Sequence, residues 1–252
     1  MSDIPISQIQ IPLRAGPSPV APVHPGQAGR RRAVVHMAAA LLGAGVGLPA
    51  AAGSYQDFLH ALRIDELETL RRLQRLGFDF NTRDEDGQPG LLLALRLDSL
   101  RAAEFLLGQP RIDLDALGPN GENALMLAAL RGHVGLFRQL IGQGAEVNKP
   151  GWTPLHYAAT QADAVSVEMV ELLLDHYAYI DAASPNDTTP LMMAARYGNA
   201  QTLKLLIDAG ADVTLRNQQG LSALDFATAA ERQNMADLIN RALRAKLGPA
   251  TW

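Results

Sequence analysis

Thr153-Pro-Leu-His-Tyr-Ala-Ala159 is the stretch from which the fold can be read, because the chain keeps returning to it. Four other segments align with it: Pro89-Gly-Leu-Leu-Leu-Ala-Leu95, Asn123-Ala-Leu-Met-Leu-Ala-Ala129, Thr189-Pro-Leu-Met-Met-Ala-Ala195 and Ser222-Ala-Leu-Asp-Phe-Ala-Thr228. Their central leucines are Leu91, Leu125, Leu155, Leu191 and Leu224, separated by 34, 30, 36 and 33 residues. A period of this size marks an array in which one supersecondary unit is stacked on the next. The text between the copies repeats too. Leu140-Ile-Gly-Gln-Gly-Ala-Glu-Val-Asn148, Leu172-Leu-Leu-Asp-His-Tyr-Ala-Tyr-Ile-Asp181 and Leu205-Leu-Ile-Asp-Ala-Gly-Ala-Asp-Val213 each close an apolar helical stretch.

Local chemistry explains the pattern. Threonine in the first position caps a short inner helix by accepting from a backbone N–H, and proline in the next has a helical φ and no N–H to leave unpaired. Leu155, Ala158 and Ala159 recur at helical spacing, and the alanines let neighbouring helices approach. Gly210 stands just past the outer helix, where a left-handed residue is wanted. Leu172, Leu173, Leu206 and Ile207 fill the space between units. One unit alone would expose too much apolar surface, so stability comes from stacking.

These motifs resemble the ankyrin repeat, in which a turn is followed by T-P-L-H-x-A-A, G-H, a second helix with V-x-x-L-L, and G-A-D-V-N. The resemblance covers about residues 54–244, and Thr153–Ala159 and Ala209–Val213 are near-perfect copies. It implies an all-α solenoid of about six helix-turn-helix repeats with short β-turn fingers, at about residues 54–83, 84–117, 118–149, 150–183, 184–216 and 217–244. The first unit keeps Phe58-Leu59, Leu67, Leu70-Arg-Arg-Leu73 and Gly77-Phe-Asp-Phe-Asn81 but lacks T-P-L-H, and reads as an N-terminal cap. The last ends in a polar run suited to a C-terminal cap, and 245–252 read as a tail.

Residues 1–52 differ in kind. Residues 1–29 hold six prolines and no periodic apolar face, so they cannot bury enough surface to fold. Arg30-Arg31-Arg32 then precedes the apolar stretch Ala33–Leu48, too short to span a bilayer comfortably, and Pro49-Ala50-Ala51-Ala52-Gly53 closes it. A positive segment, a short apolar segment and a small-residue end make a secretory signal peptide, with cleavage expected between Ala52 and Gly53. The positive segment is long, as a start codon placed too early would make it. Arg31-Arg32-Ala33-Val34-Val35 is also a loose twin-arginine match, with the general secretory route favoured. The expected destination is the periplasm or the medium, with no membrane insertion after cleavage.

Composition removes several function classes. Beyond residue 52 the chain carries 18 basic and 25 acidic side chains, which repel nucleic acid. It has no cysteine, so disulfides, thiolate catalysis and cysteine-based zinc sites are excluded. No histidine pair has metal-ligand spacing, and neither G-x-S-x-G nor a P-loop is present. Gly43, Gly45 and Gly47 do not make a nucleotide loop, because Leu48 stands in the place of the third glycine. Asp84-Glu85-Asp86-Gly87 lacks the later acidic ligands of a calcium loop and falls on a finger turn. The resemblance makes His133 and His156 structural, hydrogen-bonding between loops and repeats.

No catalytic residue, cofactor or metal is therefore expected. What the resemblance implies is a non-catalytic, monomeric scaffold, adaptor or inhibitor that binds a protein partner of unstated identity through its concave face. A secreted effector acting on a host protein is the alternative, with an enzyme of another type or a structural spacer behind it. Carried over by motif, the finger positions are Arg83, Glu85, Asp86, Gln88, Asn120, Glu122, Lys149, Trp152, Asn186, Thr188, Arg216, Gln218 and Gln219. The inner-helix ends are Leu130, Arg131, Thr160, Gln161, Arg196 and Tyr197. Arg131, Trp152, Arg196 and Tyr197 are expected at the centre and the Asp84–Asp86 finger at the rim. For Trp152 two readings stay open: a binding anchor, or packing that covers a turn three residues shorter than its neighbours. The longer connection Gln161–Val167 is a second irregularity with functional potential.

Overall fold

The computed structural model describes residues 48–247; the proline-rich segment, the arginine run and most of the expected signal peptide lie outside the described residues. Among the described residues, twelve helices form six hairpins. They are α1 (Leu48–Arg63) with α2 (Leu67–Arg75), α3 (Gly90–Arg96) with α4 (Leu100–Leu107), and α5 (Ala124–Arg131) with α6 (Val134–Gly142). The series continues with α7 (Pro154–Ala158) and α8 (Val165–Asp175), α9 (Pro190–Arg196) and α10 (Ala200–Asp208), and α11 (Ala223–Ala229) and α12 (Gln233–Leu247). The inner helices α1, α3, α5, α7, α9 and α11 pack in a row, and the even-numbered helices form a second row behind them. Each hairpin packs chiefly against its neighbours in sequence, as a quasi-one-dimensional array requires. Among the described residues two isolated antiparallel β-bridges, Arg83 with Pro89 and Arg216 with Ser222, each lie at the base of a finger.

The core is built from the repeated positions. Leu91, Leu125, Leu155 and Leu191 are at most 1% exposed, and the paired alanines Ala128–Ala129, Ala158–Ala159 and Ala194–Ala195 are wholly buried. Inner helices begin as the pattern predicts: the Asn123 side chain accepts from Met126 N at 3.0 Å and Thr189 Oγ1 from Met192 N. Gly77, Gly144 and Gly210 end outer helices with φ of 73°, 89° and 99°. In the fourth repeat that place belongs to Tyr177, held at φ 61° and 85% exposed.

Two helices run across segment boundaries drawn from the sequence. Helix α1 starts at Leu48, so Ala52 and Gly53 lie inside a continuous helix; Pro49 near its start and three alanines after it favour helical backbone. Helix α12 runs three residues into the expected tail, where Lys246 Nζ holds Asp212 Oδ1 at 2.6 Å across to the preceding repeat.

Candidate functional site

The fingers are tied to one another by the side chains that the motif places on them. Arg83 Nη1 donates to Gly87 O in its own finger and to Leu117 O in the next, both at 2.8 Å. Arg216 Nη1 does the same for Gly220 O, and also reaches Asp225 Oδ2 at 3.3 Å. Gln218 binds the fifth finger twice, from its N to Asn186 O at 3.0 Å and from Nε2 to Pro185 O at 3.1 Å. Asn186 is further held by Ser184 Oγ at 2.6 Å. These side chains therefore tie the fingers together on one face. Glu85 and Asp86 stay exposed at the tip of the second finger. Below them the Asp84 carboxylate accepts from Asp86 N and Gln88 N at 3.1 and 2.7 Å, and Gly87 turns back at φ 79°.

Glu122, Gln88 and Thr188, expected on exposed finger positions, are instead buried, with Thr188 at 0%. Glu122 is drawn in by Arg96 at the end of α3, whose Nη2 binds Glu122 Oε1 and lies 3.5 Å from Gln88 Oε1. A buried carboxylate needs such a partner, because desolvation alone would cost several kcal/mol. Tyr157 faces the pair. Burial, and then the Glu122 carboxylate, push its phenol up to about 12, while Arg96 opposes them. The motif reading missed Arg96, since Pro89–Leu95 lacks the A-A that would have aligned it. Counting seven residues from the cap Pro89, as Arg196 is counted from Thr189, finds it.

The remaining central residues divide. Arg131 is committed to the preceding repeat, with Nη1 on Asp98 Oδ2 at 3.1 Å and Nη2 on Arg96 O at 2.6 Å. Thr160 Oγ1 donates to Tyr157 O, and Gln161 Nε2 reaches back to Ala129 O at 3.0 Å beneath the half-buried Leu130. Trp152 is half-buried. Its ring meets His156 edge to face at 5.1 Å and Tyr157 at 6.3 Å, and Lys149 Nζ lies 3.3 Å from its carbonyl. Its packing partners are thus the first helical turn of α7. Arg196 lies over the Tyr197 ring at 5.3 Å and forms no ion pair among the described residues.

The histidines act as the motif implies. His156 Nδ1 accepts from Thr153 N at 3.1 Å, so Nε2 carries the proton and donates to Thr188 O in the next finger at 2.9 Å. His133 Nε2 lies 3.0 Å from Asp98 Oδ1 in the preceding repeat. A cleft of about 580 Å³ lined by Gln74, Phe78, Phe80, Gln109 and Arg111 lies at the ends of the first two outer helices, away from all these residues. Among the described residues no three His, Asp or Glu side chains are grouped as a metal site would require, and no helix is long and apolar enough to cross a membrane.

Comparison with known proteins sets this geometry in context. The family model for ankyrin repeats (three copies) matches residues 58–150, 91–184 and 168–245. The mouse nuclear factor NF-kappa-B p105 subunit is 35% identical over 161 residues, covering 60% of this chain and 16% of that protein. Neurogenic locus notch homolog protein 1 of Xenopus tropicalis is 37% identical over 122 residues, 47% of this chain and 5% of that protein. The chain thus spans only a small part of these relatives. Among solved structures, a predatory endopeptidase of Bdellovibrio bacteriovorus in complex with an immunity protein contains a chain matching with TM-score 0.64 and 28% identity, covering 73% of this chain and 97% of that one. An ankyrin repeat domain from Acinetobacter baumannii matches at TM-score 0.62 and 22% identity, covering 73% and 96%, and shares the fold. With matches running from residue 58 to residue 245 and the capped, stacked hairpins described above, the chain belongs to the ankyrin-repeat family.

Proposed function

We propose that this chain is a non-catalytic adaptor or inhibitor of the periplasm that holds one protein partner against its fingers and inner-helix ends. Ankyrin repeats are in general protein-interaction modules, and this array keeps the architecture whole. One observation carries the finer reading: the likeness to a chain from the complex of an endopeptidase with an immunity protein extends over 97% of that chain at 28% identity. By that likeness, the partner is an enzyme of the envelope that has to be restrained, with a peptidase as the first candidate. Export through the segment ending at Ala52-Gly53 supplies the compartment. Arg131, Trp152, Arg196 and Tyr197 form the centre of the contact, as aromatic and arginine anchors do at protein interfaces.

The test is to express the tagged full chain, recover it from periplasmic extract and identify the chains that accompany it, with a Trp152→Ala/Tyr197→Ala double variant alongside. A partner retained by the parent and lost from a folded double variant is expected. That partner's enzymatic activity should fall when the parent protein is added back. Recovery of a folded protein from the periplasm with no stoichiometric partner would overturn the proposal, as would recovery only from the cytoplasm.

A further inference from the structure

The fourth repeat departs from the pattern of the array at one place, the end of α8. Three other repeats carry glycine just past the outer helix and an acid two residues later: Gly77 and Asp79, Gly144 and Glu146, Gly210 and Asp212. Here the same two places hold Tyr177 and Tyr179. Tyr177 keeps the left-handed backbone of its glycine counterparts, at φ 61°, where a β-carbon is strained. No burial offsets that strain, because Tyr177 is 85% exposed and Tyr179 is 69% exposed.

The backbone that carries these rings is nevertheless fixed. Asn148, in the preceding repeat, donates from Nδ2 to Tyr177 O at 2.8 Å and accepts at Oδ1 from Tyr179 N at 2.9 Å. Tyr177 N and Ala178 N donate to Leu174 O and Leu173 O at 3.0 and 2.9 Å. Beside Tyr179 opens a hollow of about 400 Å³, lined also by Glu146, Lys149, Pro150 and Ala182. Lys149 is turned to the backbone there, with Nζ 3.4 Å from Pro150 O and 3.3 Å from Trp152 O.

The charge around the two rings has one sign. From Glu171 to Asp181 the chain carries three acids and neither lysine nor arginine. Glu171 and Asp175 are exposed one turn apart on α8, and neither they nor the exposed Glu146 has an ion pair among the described residues. Like charges at that spacing oppose the helix, as the left-handed tyrosine opposes its turn. Local departures of this kind gather where a surface is kept for function. Exposed aromatic rings with unpaired carboxylates suit a guanidinium, whose flat face stacks on a ring while its edge donates to the acids.

We propose that the end of α8 is a second docking surface, which takes an arginine from a short basic segment of a partner protein. The guanidinium lies on the rings of Tyr177 and Tyr179, and Glu146, Glu171 and Asp175 supply the opposite charge. This surface is separate from the inner-helix contact proposed above and does not depend on the compartment.

The probe is a fluorophore-labelled peptide, acetyl-Gly-Arg-Gly-Arg-Gly-amide, whose anisotropy is followed as the full chain is added. A second peptide carries citrulline in place of both arginines. Binding of the arginine peptide is expected, with the citrulline peptide at least about tenfold weaker, and ring-labelled tyrosine spectra should show the shifts at Tyr177 and Tyr179. Tyr177→Gly/Tyr179→Asp gives the fourth repeat the residues that the fifth carries, so it folds, and it should weaken the arginine peptide at least about tenfold. That variant adds a negative charge, so unchanged or tighter binding would show plain attraction to an acidic face and overturn the assignment. Equal affinity for the two peptides would overturn it as well. So would shifts confined to other tyrosines, or no binding of the arginine peptide at millimolar concentration.

Discussion

Acidification should destabilise this protein through one buried imidazole. His156 is wholly buried, accepts at Nδ1 from Thr153 N and donates from Nε2 to Thr188 O. Protonation would set a second N–H against the Thr153 N–H and place a charge in the core. Burial accordingly holds its pKa at about 4, against 6.5 for a free histidine, although the acceptors on Thr188 and Ala182 oppose that shift. The folded value lies below the unfolded one, so below pH 6.5 the unfolded chain binds the extra proton first. Stability is complete above 6.5 and is lost as pH falls toward 4. Linkage between these two values gives a loss of about 2 kcal/mol by pH 5, rising to about 3 kcal/mol below pH 4. Urea unfolding at about pH 7.5 and about pH 5 reads this directly. His156→Asn, less stable at the higher pH for want of the paired hydrogen bonds, should lack this part of the pH dependence. Asp212, which its bonds to Lys246 and Thr214 hold down at about 2, loses its contribution only below the histidine window. If parent and variant lose the same stability between the two pH values, the buried neutral imidazole is not the cause.

Further substitutions test other parts of the fold. Leu155→Ala removes a wholly buried side chain from the middle of the inner row and should cost roughly 2–5 kcal/mol in urea unfolding; less than about 1 kcal/mol would show the row is loosely packed. Gly198→Ala would set a Cβ 2.3 Å from Ala159 O, a backbone atom of the preceding repeat, so the two repeats must part. The expected loss is roughly 1–3 kcal/mol, and an unchanged melting temperature would refute the close approach. Tyr177→Gly relieves a left-handed tyrosine at a place where three other repeats carry glycine. It should raise stability by about 1 kcal/mol, and destabilisation would show that the exposed ring packs on something.

Much of the architecture is carried by short-range signals. The caps at Asn123, Thr189 and Ser222, the left-handed glycines and the apolar spacing of Leu91, Leu125, Leu155 and Leu191 act within a helical turn or two, and each recurs at a nearly constant interval. In an array whose units pack chiefly against their neighbours, such a pattern fixes both the hairpin and its stacking. The roles of His133 and His156 were legible for the same reason, because each reaches one repeat away along a register the period already sets.

Other features depended on side chains meeting across that register. Nothing near Glu122 says that it is buried; Arg96, 26 residues earlier, decides it by crossing from the preceding repeat. Arg83 and Arg216 occupy finger positions that read as free contact residues, yet each is held by finger carbonyls, because a guanidinium has donors enough to tie turns together. Trp152 could be an anchor or a packing residue on sequence grounds, and only the structure shows its ring set against His156 and Tyr157. By itself the sequence determined which residues face the core, since burial follows from periodicity. Which polar residues on the face are already paired was left to the tertiary structure, because pairing depends on what the next repeat brings within about 3 Å.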